Sequence, residues 1–351
     1  MGINCRFRLL SGQNNKRTTS GNRFNKNFPD PFPPVTRCHH NDKTAFPVIY
    51  FFFAFRHKKD LDAVLLTGSP FHPFLISIFV KKLLSVPTFL DFRDAWSLNN
   101  GFDGKRVKYF RERFRRRLFA LFERVAIQFA SGVIFATNTL QEEYRRLLPF
   151  QQEKFHTITN GYDAEDFVSV IPIRMVGKKT IILAGQFNLY TPEVLSGLMQ
   201  ALKSFPLLHF IYVGSENDII YQKAKFFESE SQVTTFPYLP HREMINRIAG
   251  ADYGLVTASL PNILGTKIFD YLALKKPILC FVPPGSEIIR NFAREKSIVI
   301  CESPHTLESI KKGLNLLLEV KEVTNKKILN QFSRKETTKR LAKILQMANT
   351  T

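Results

Sequence analysis

The stretch YGLVTASLPNILGTKIFDYLALKKPILCFV, residues 253–282, places a short helical pattern between two apolar runs. YGLVTA (253–258) and PILCFV (277–282) are almost continuously apolar. That is the mark of strands covered on both faces of a parallel sheet. The helical run opens at Thr266, carries Lys267 and Asp270 three positions apart, and is stopped by Pro277, which cannot continue a helix. Gly265 and Thr266 offer a backbone that a ligand can approach and a helix N-cap. The amide groups and positive dipole end of such a helix favour phosphate. Lys267 adds a mobile cation, and the two oxygens of Asp270 suit a vicinal diol such as a ribose. A capped helix with a surface Lys–Asp pair accounts for the same spacing.

Outward from this unit the pattern repeats. Apolar runs alternate with helical patterns at DAVLLTG (62–68), PTFLD (87–91), GVIFA (132–136), KFHTIT (154–159), TIILAG (180–185), HFIYVG (209–214), VTTFP (233–237) and SIVIC (297–301). With the two runs above, ten strands exceed one compact sheet. The composition shift at 168–180 reads as a linker between two doubly wound halves. The predicted division is a poorly ordered basic segment over 1–44, a Rossmann-like first domain over 45–168, a linker over 169–179, a second Rossmann-like domain over 180–325, and a C-terminal helix over 326–351 packing back toward the first domain. FPDPFPP (28–34) permits neither helix nor central strand.

The chain has 351 residues, 44% hydrophobic and 23% charged, a globular balance. Its 50 Lys+Arg against 30 Asp+Glu give +20, a field that favours anionic partners. Nine of the basic residues fall between Asp103 and Arg124, against Asp103, Glu112 and Glu123, a local +6. In GKRVKYFRERFRRRLFALFERVAIQFA (104–130) Phe110, Phe114, Leu118, Leu121, Val125 and Phe129 form one helical stripe, expected to pack on the first domain. Arg111, Arg113, Arg115, Arg116 and Arg117 crowd beside it as a candidate patch for an anionic membrane; a solvated helix face is the plain alternative. No apolar run reaches the roughly 18 residues of a membrane span, so any membrane contact is expected to be peripheral, at the inner face, with the protein in the cytoplasm. The four cysteines are scattered, without a CxxC pair. Neither a disulfide framework nor a zinc site is expected, and no metal or other cofactor.

Three further stretches lie at strand ends, where open α/β sheets bind ligands. TGSPFHP (67–73) offers His72 for acid–base chemistry, or as a solvated loop histidine. DFRDAW (91–96) crowds Asp91, Arg93 and Asp94, which are expected to pair with one another. In ILAGQFN (182–188), Gly185 lets a phosphate or sugar come close. TNGYDAEDF (159–167) opens on a turn signal at Asn160-Gly161.

Together these stretches resemble the GT-B glycosyltransferases, and glycosyltransferase family 4 in particular. SPFHP followed by DFRDAW is similar to the first-domain pair of bacterial polysaccharide enzymes. TNGYDAEDF is similar to the turn closing the first domain, and ILAGQFN to the strand and glycine opening the second. FPYLPHREMINRIAGADYGLV (236–256) and GTKIFDYLALKKPIL (265–279) resemble the family's donor-site passages. The resemblance covers residues 60–300. It implies two Rossmann-like domains, a nucleotide-sugar donor bound by the second, and a lipid-linked or glycan acceptor on the first. Asp270 would hold the ribose, the backbone at Leu264, Gly265 and Thr266 the diphosphate with Lys267 near it, and Gly185 and Asn262 would line the donor site. His72 and Asp94 would be the catalytic candidates, with Ser69, Arg93 and Trp96 on the acceptor side.

This sequence departs from the family where its paired glutamates become Asn262 and Asp270, and where the usual Arg/Lys pair is missing from GQFNLYTPE (185–193). Residues 1–44 do not resemble the family's first strand and glycine-rich loop, so the first domain is expected to be incomplete. Two other functions fit parts of the sequence. An inactive relative that binds nucleotides or glycans fits the missing glutamate. A nucleic-acid binder fits the charge, but the basic residues carry no recognition motif.

Overall fold

The computed structural model describes residues 7–11, 36–39, 55–56, 59, 61–68, 71–98, 110–322 and 324–347, with backbone only at 7–11, 36–39 and 110–113. The chain divides into two units, one of residues 1–158 with 339–351, the other of residues 159–338.

All ten apolar runs are strands. In the second unit these are β7 (Lys179–Ala184), β8 (Leu208–Val213), β9 (Val233–Phe236), β10 (Tyr253–Thr257), β11 (Ile278–Val282) and β12 (Ile298–Glu302). They form one sheet in the order β12-β11-β10-β7-β8-β9, with every pair parallel. Counted from its own first strand this is the doubly wound order 3-2-1-4-5-6, with the reversal between β7 and β10. Side chains along β11 alternate between two cores: Ile278, Cys280 and Val282 lie in one, Leu279 and Phe281 in the other. Ile181 and Leu183 of β7 join the second, Ile182 and Ala184 the first. Burial on both faces explains the absence of polar alternation in these runs.

The first unit holds β3 (Ala63–Gly68), β4 (Thr88–Phe92), β5 (Gly132–Phe135) and β6 (Phe155–Thr157). It also holds two strands in the segment read as poorly ordered, β1 (Phe7–Ser11) and β2 (Thr36–His39). The first strand that residues 1–44 do not announce is therefore Phe7–Ser11, parallel to β3 from Phe7–Ala63 to Ser11–Thr67. The sheet order is β2-β1-β3-β4-β5-β6, all parallel.

Helices complete each layer. In the first unit a turn at His72–Leu75 leads into α1 (Ile76–Phe79), followed later by α2 (Phe110–Phe129) and α3 (Asn138–Leu147). The second unit has α4 (Pro192–Leu202), α5 (Asn217–Phe226), α6 (His241–Gly250), α7 (Lys267–Ala273), α8 (Glu287–Phe292), α9 (Leu307–Glu319) and α10 (Lys326–Gln331), and the last helix is α11 (Arg334–Met347). Several start where the sequence supplies a cap: Thr137 accepts from Leu140 N, Ser286 from Ile289 N and Thr306 from Ser309 N. Leu345 of α11 is buried among Ala63, Leu65, Phe89, Ile134 and Ile158.

The face α2 buries is not the predicted one. Phe114 is 61% exposed and Leu121 55%. The buried positions are Glu123, Ala126 and Ile127, with Ala130 just beyond the helix, which are spaced i, i+3, i+4, i+7. The contact is close enough for the Ser77 hydroxyl to donate to Ala126 O at 3.1 Å. Ala126 and Ala130 let the helix approach; of the predicted stripe, Phe114 and Leu121 face outward while Leu118, Val125 and Phe129 are half-buried.

Candidate functional site

In the second unit the order reversal puts the carboxyl ends of β7 and β10 side by side, where a doubly wound sheet opens a crevice. Gly185 follows β7 with φ +130°, a conformation that L side chains rarely adopt. A Cβ placed there would meet nothing within 4 Å, so backbone geometry requires the glycine and the space beside it is open. Its N–H donates to Val213 O at 2.9 Å, and its carbonyl accepts from the Tyr212 hydroxyl at 2.7 Å.

The next loop holds a residue the sequence reading missed. The Glu216 carboxylate accepts from three successive amides, those of Phe187, Asn188 (3.0 Å) and Leu189 (2.9 Å). The Tyr212 hydroxyl stands 3.3 Å from the same carboxylate. Successive amides turned to one point form an anion cradle, and here the anion is the chain's own side chain. No local signal marks it, because Glu216 is 29 residues from Phe187.

After β10 the chain passes Asn262, half-buried, and Leu264, 8% exposed, to α7. A Cβ on Gly265 would meet nothing within 4 Å. Thr266 is not the cap the sequence suggests: its backbone is already helical (φ −64°, ψ −26°) and its side chain makes no capping bond. The structure brings Lys267 and Asp270 together in an ion pair of 2.9 Å. Their anchor is Tyr271, wholly buried, whose hydroxyl donates to Ile182 O at 3.1 Å and accepts from Ala184 N at 3.2 Å. That link ties α7 to the end of β7, one residue short of Gly185. Burial pushes the Tyr271 phenol far above its ordinary pKa, so it stays protonated and can serve both bonds.

In the first unit His72 and Asp94 follow the neighbouring strands β3 and β4. His72 is exposed. Loss of surrounding water raises the Asp94 carboxyl above the ordinary range, with the Arg93 charge opposing the shift, although the residue still reaches solvent. Trp96 stacks on Phe71 with centroids 5.4 Å apart and planes 10° apart, which joins the two strand-end loops. Arg93 is engaged with Asp91 through Nε at 2.9 Å and Nη2 at 2.8 Å, so the expected Arg–Asp pairing forms with Asp91. Ser69 lies outside the described residues. Arg115 and Arg117 of α2 are exposed and Arg116 half-buried, while the side chains of Arg111 and Arg113 lie outside the described residues. Glu123, counted in the sequence as a neutraliser of these arginines, is instead buried.

The Asn160-Gly161 turn has a packing reason. A Cβ on Gly161 would lie 2.2 Å from Phe332 O, because the backbone of 332–334 passes directly beside it, bonded to Tyr162 at 3.1 and 2.8 Å.

No protein-family model matches the sequence, and no curated protein matches it. Solved structures do. Anabaena HepE, in complex with UDP and glucose, aligns with a TM-score of 0.67 at 12% identity over 98% of this chain and 100% of its own. Sucrose-phosphate synthase from Thermosynechococcus elongatus gives 0.68 at 11% over 98% of each chain. The lipopolysaccharide outer core galactosyltransferase WaaB gives 0.59 at 11% over 97% and 99%. At such identities the likeness speaks for the fold alone, and with two doubly wound parallel sheets already in view, that fold is GT-B, the architecture of these glycosyltransferases.

Proposed function

We propose that the protein is a glycosyltransferase of the family 4 type that moves a sugar from a nucleotide-sugar donor to a lipid-linked or polysaccharide acceptor. The observation that carries the reading is the Lys267–Asp270 pair beside the open Gly265, at the crevice end of a sheet with the doubly wound order 3-2-1-4-5-6. In this reading Asp270 holds the ribose hydroxyls, and the backbone at 264–266 with Lys267 meets the diphosphate. The bond from the anomeric carbon to the diphosphate oxygen breaks. The acceptor oxygen forms the new bond and gives its proton to a base, for which Asp94 and His72 are the candidates. Positive charge at the leaving diphosphate stabilises the transition state.

The test is a thermal-shift series with UDP, GDP, dTDP and their sugars, followed by transfer assays. A nucleotide at 100 times its dissociation constant adds about 2.7 kcal/mol of stability, and one base is expected to stand out. No shift with any of them sinks the reading. Binding without transfer selects the inactive relative, which Asn262 in the place of an acidic residue and Glu216 across the loop amides both favour.

The acceptor reading includes docking on an anionic membrane. The outward face of α2 exposes Phe114 and Leu121 next to Arg115 and Arg117, and Phe79 and Leu83 are exposed beside Lys81 and Lys82. Apolar side chains flanked by cations suit an interfacial helix, and each Lys or Arg near such a surface contributes about 1 kcal/mol. Among the described residues no helix is long and apolar enough to cross a membrane. Co-sedimentation is expected to show binding to anionic vesicles, release by salt, and weaker binding when Arg117 and Leu121 are both changed to Gln. Equal binding to neutral vesicles would remove the membrane from the proposal.

A further inference from the structure

The loop after β4 carries Asp94 and Trp96, and something must hold it in one conformation. Two buried side chains do so. Glu123 of α2 is 3% exposed and Tyr144 of α3 is fully buried. The Glu123 carboxyl accepts from Ser97 N at 3.3 Å, and it makes short hydrogen bonds with the Ser97 hydroxyl and with the Tyr144 hydroxyl. The Tyr144 hydroxyl in turn accepts from Trp96 N at 3.2 Å. Two consecutive backbone N–H groups of the loop therefore end on one carboxyl–phenol pair.

A core that needs only packing is filled more favourably by apolar side chains than by a buried carboxyl. The groups around Glu123 define its state. Ser97 and Tyr144 touch it, Arg124 follows it on the same helix, and Glu143 lies beside Tyr144 on α3. Burial raises its pKa above the ordinary value, and the bonds from Ser97 and Tyr144 and the charge of Arg124 oppose the shift. A protonated or an ionised carboxyl makes the same set of contacts, with Oε2 as donor or acceptor to the Ser97 hydroxyl.

We infer that Glu123, acting with Tyr144, is a positioning residue: it fixes the backbone at Trp96 and Ser97 and so sets how Asp94 and Trp96 are presented to the acceptor. The acceptor clause rests on the function proposed above; the control of the loop does not. Trp96 is the single tryptophan of the chain, so its emission reports on this loop without any ligand.

The experiment compares Trp96 emission and acrylamide quenching in the wild type, Glu123→Leu, Glu123→Gln and Tyr144→Phe, with circular dichroism confirming that each is folded. Glu123→Leu is expected to shift emission to the red and to make the ring about two-fold more accessible to quencher, as a locally released loop would. Glu123→Gln is expected to keep the wild-type spectrum, since Oε1 can accept from Ser97 N and Tyr144 and Nε2 can donate to the Ser97 hydroxyl. A folded Glu123→Leu with unchanged emission and quenching overturns the inference. If that variant does not fold, Tyr144→Phe decides in the same way, because it removes the acceptor of Trp96 N. If transfer is detected in the wild type, Glu123→Leu should lower kcat with donor KM kept, and Glu123→Gln should restore it. Absence of any nucleotide binding in the wild type defeats the proposed function and leaves the fluorescence result standing.

Discussion

Arg93→Ala is expected to destabilise the first unit by about 3–5 kcal/mol, the cost of leaving a buried charge without its partner. Asp91 is 5% exposed within β4. Its charge is met by the Arg93 guanidinium on both oxygens, Nε to Oδ2 at 2.9 Å and Nη2 to Oδ1 at 2.8 Å, and weakly by the Thr67 hydroxyl at 3.4 Å. The third arm of the fork donates to Ile158 O at 3.1 Å, so one side chain links β4 to the end of β6. Truncation removes all of this at once, whereas removing both charges together avoids the orphaned carboxylate. Asp91→Asn combined with Arg93→Leu should therefore recover most of the loss. Urea denaturation of the single and double variants measures both. A loss below about 1 kcal/mol for Arg93→Ala is the value expected of a solvent-exposed pair. That result would return Arg93 to the acceptor side as an available cation.

Arg93 also shows what the sequence could reveal. DFRDAW was legible as a charged knot at a strand end, but not which carboxylate takes the arginine. Asp91 does so because it lies within the strand and away from water, while Asp94 lies in the loop beyond. The interior strands were legible for a physical reason, since a strand covered on both faces must be apolar at nearly every position. The half-buried edge strands β6, β9 and β12 were legible from their β-branched and aromatic residues. β1 escaped because FRLLS is short and begins with an arginine at its second position, in polar surroundings. α2 misled because period and residue size pointed to Phe114, Leu118 and Leu121, while the close contact was made by Glu123, Ala126 and Ile127. A stripe of large side chains marks an apolar face without telling what covers it. Glu216 and Glu123 were illegible because their partners are distant in sequence, 29 and 26 residues away for Phe187 and Ser97.

The second large effect is expected on ligand affinity rather than on folding. Asp270→Ala should weaken nucleotide binding by about 1.5–3 kcal/mol, the contribution of hydrogen bonds to a charged acceptor, or roughly 10- to 150-fold in Kd. Stability should barely change. The Lys267–Asp270 pair is a half-buried i,i+3 helix pair; pairs at this spacing contribute about 0.2–0.5 kcal/mol, and alanine is the best helix former. The neighbouring Tyr271, bonded to Ile182 O and Ala184 N, holds α7 in place without Asp270. The carboxylate is thus placed by a buried anchor that the substitution leaves untouched, which separates binding from folding in one variant. Lys267→Ala supplies the complementary test: it releases the carboxylate from its partner and removes a cation from the diphosphate side. It should weaken a nucleoside diphosphate more than the corresponding nucleoside. Calorimetry with the nucleotide selected by thermal shift reads both variants, and urea denaturation confirms the fold. A folded Asp270→Ala that binds its nucleotide as tightly as the wild type would remove α7 from the donor site and reduce the Lys267–Asp270 pair to a structural ion pair.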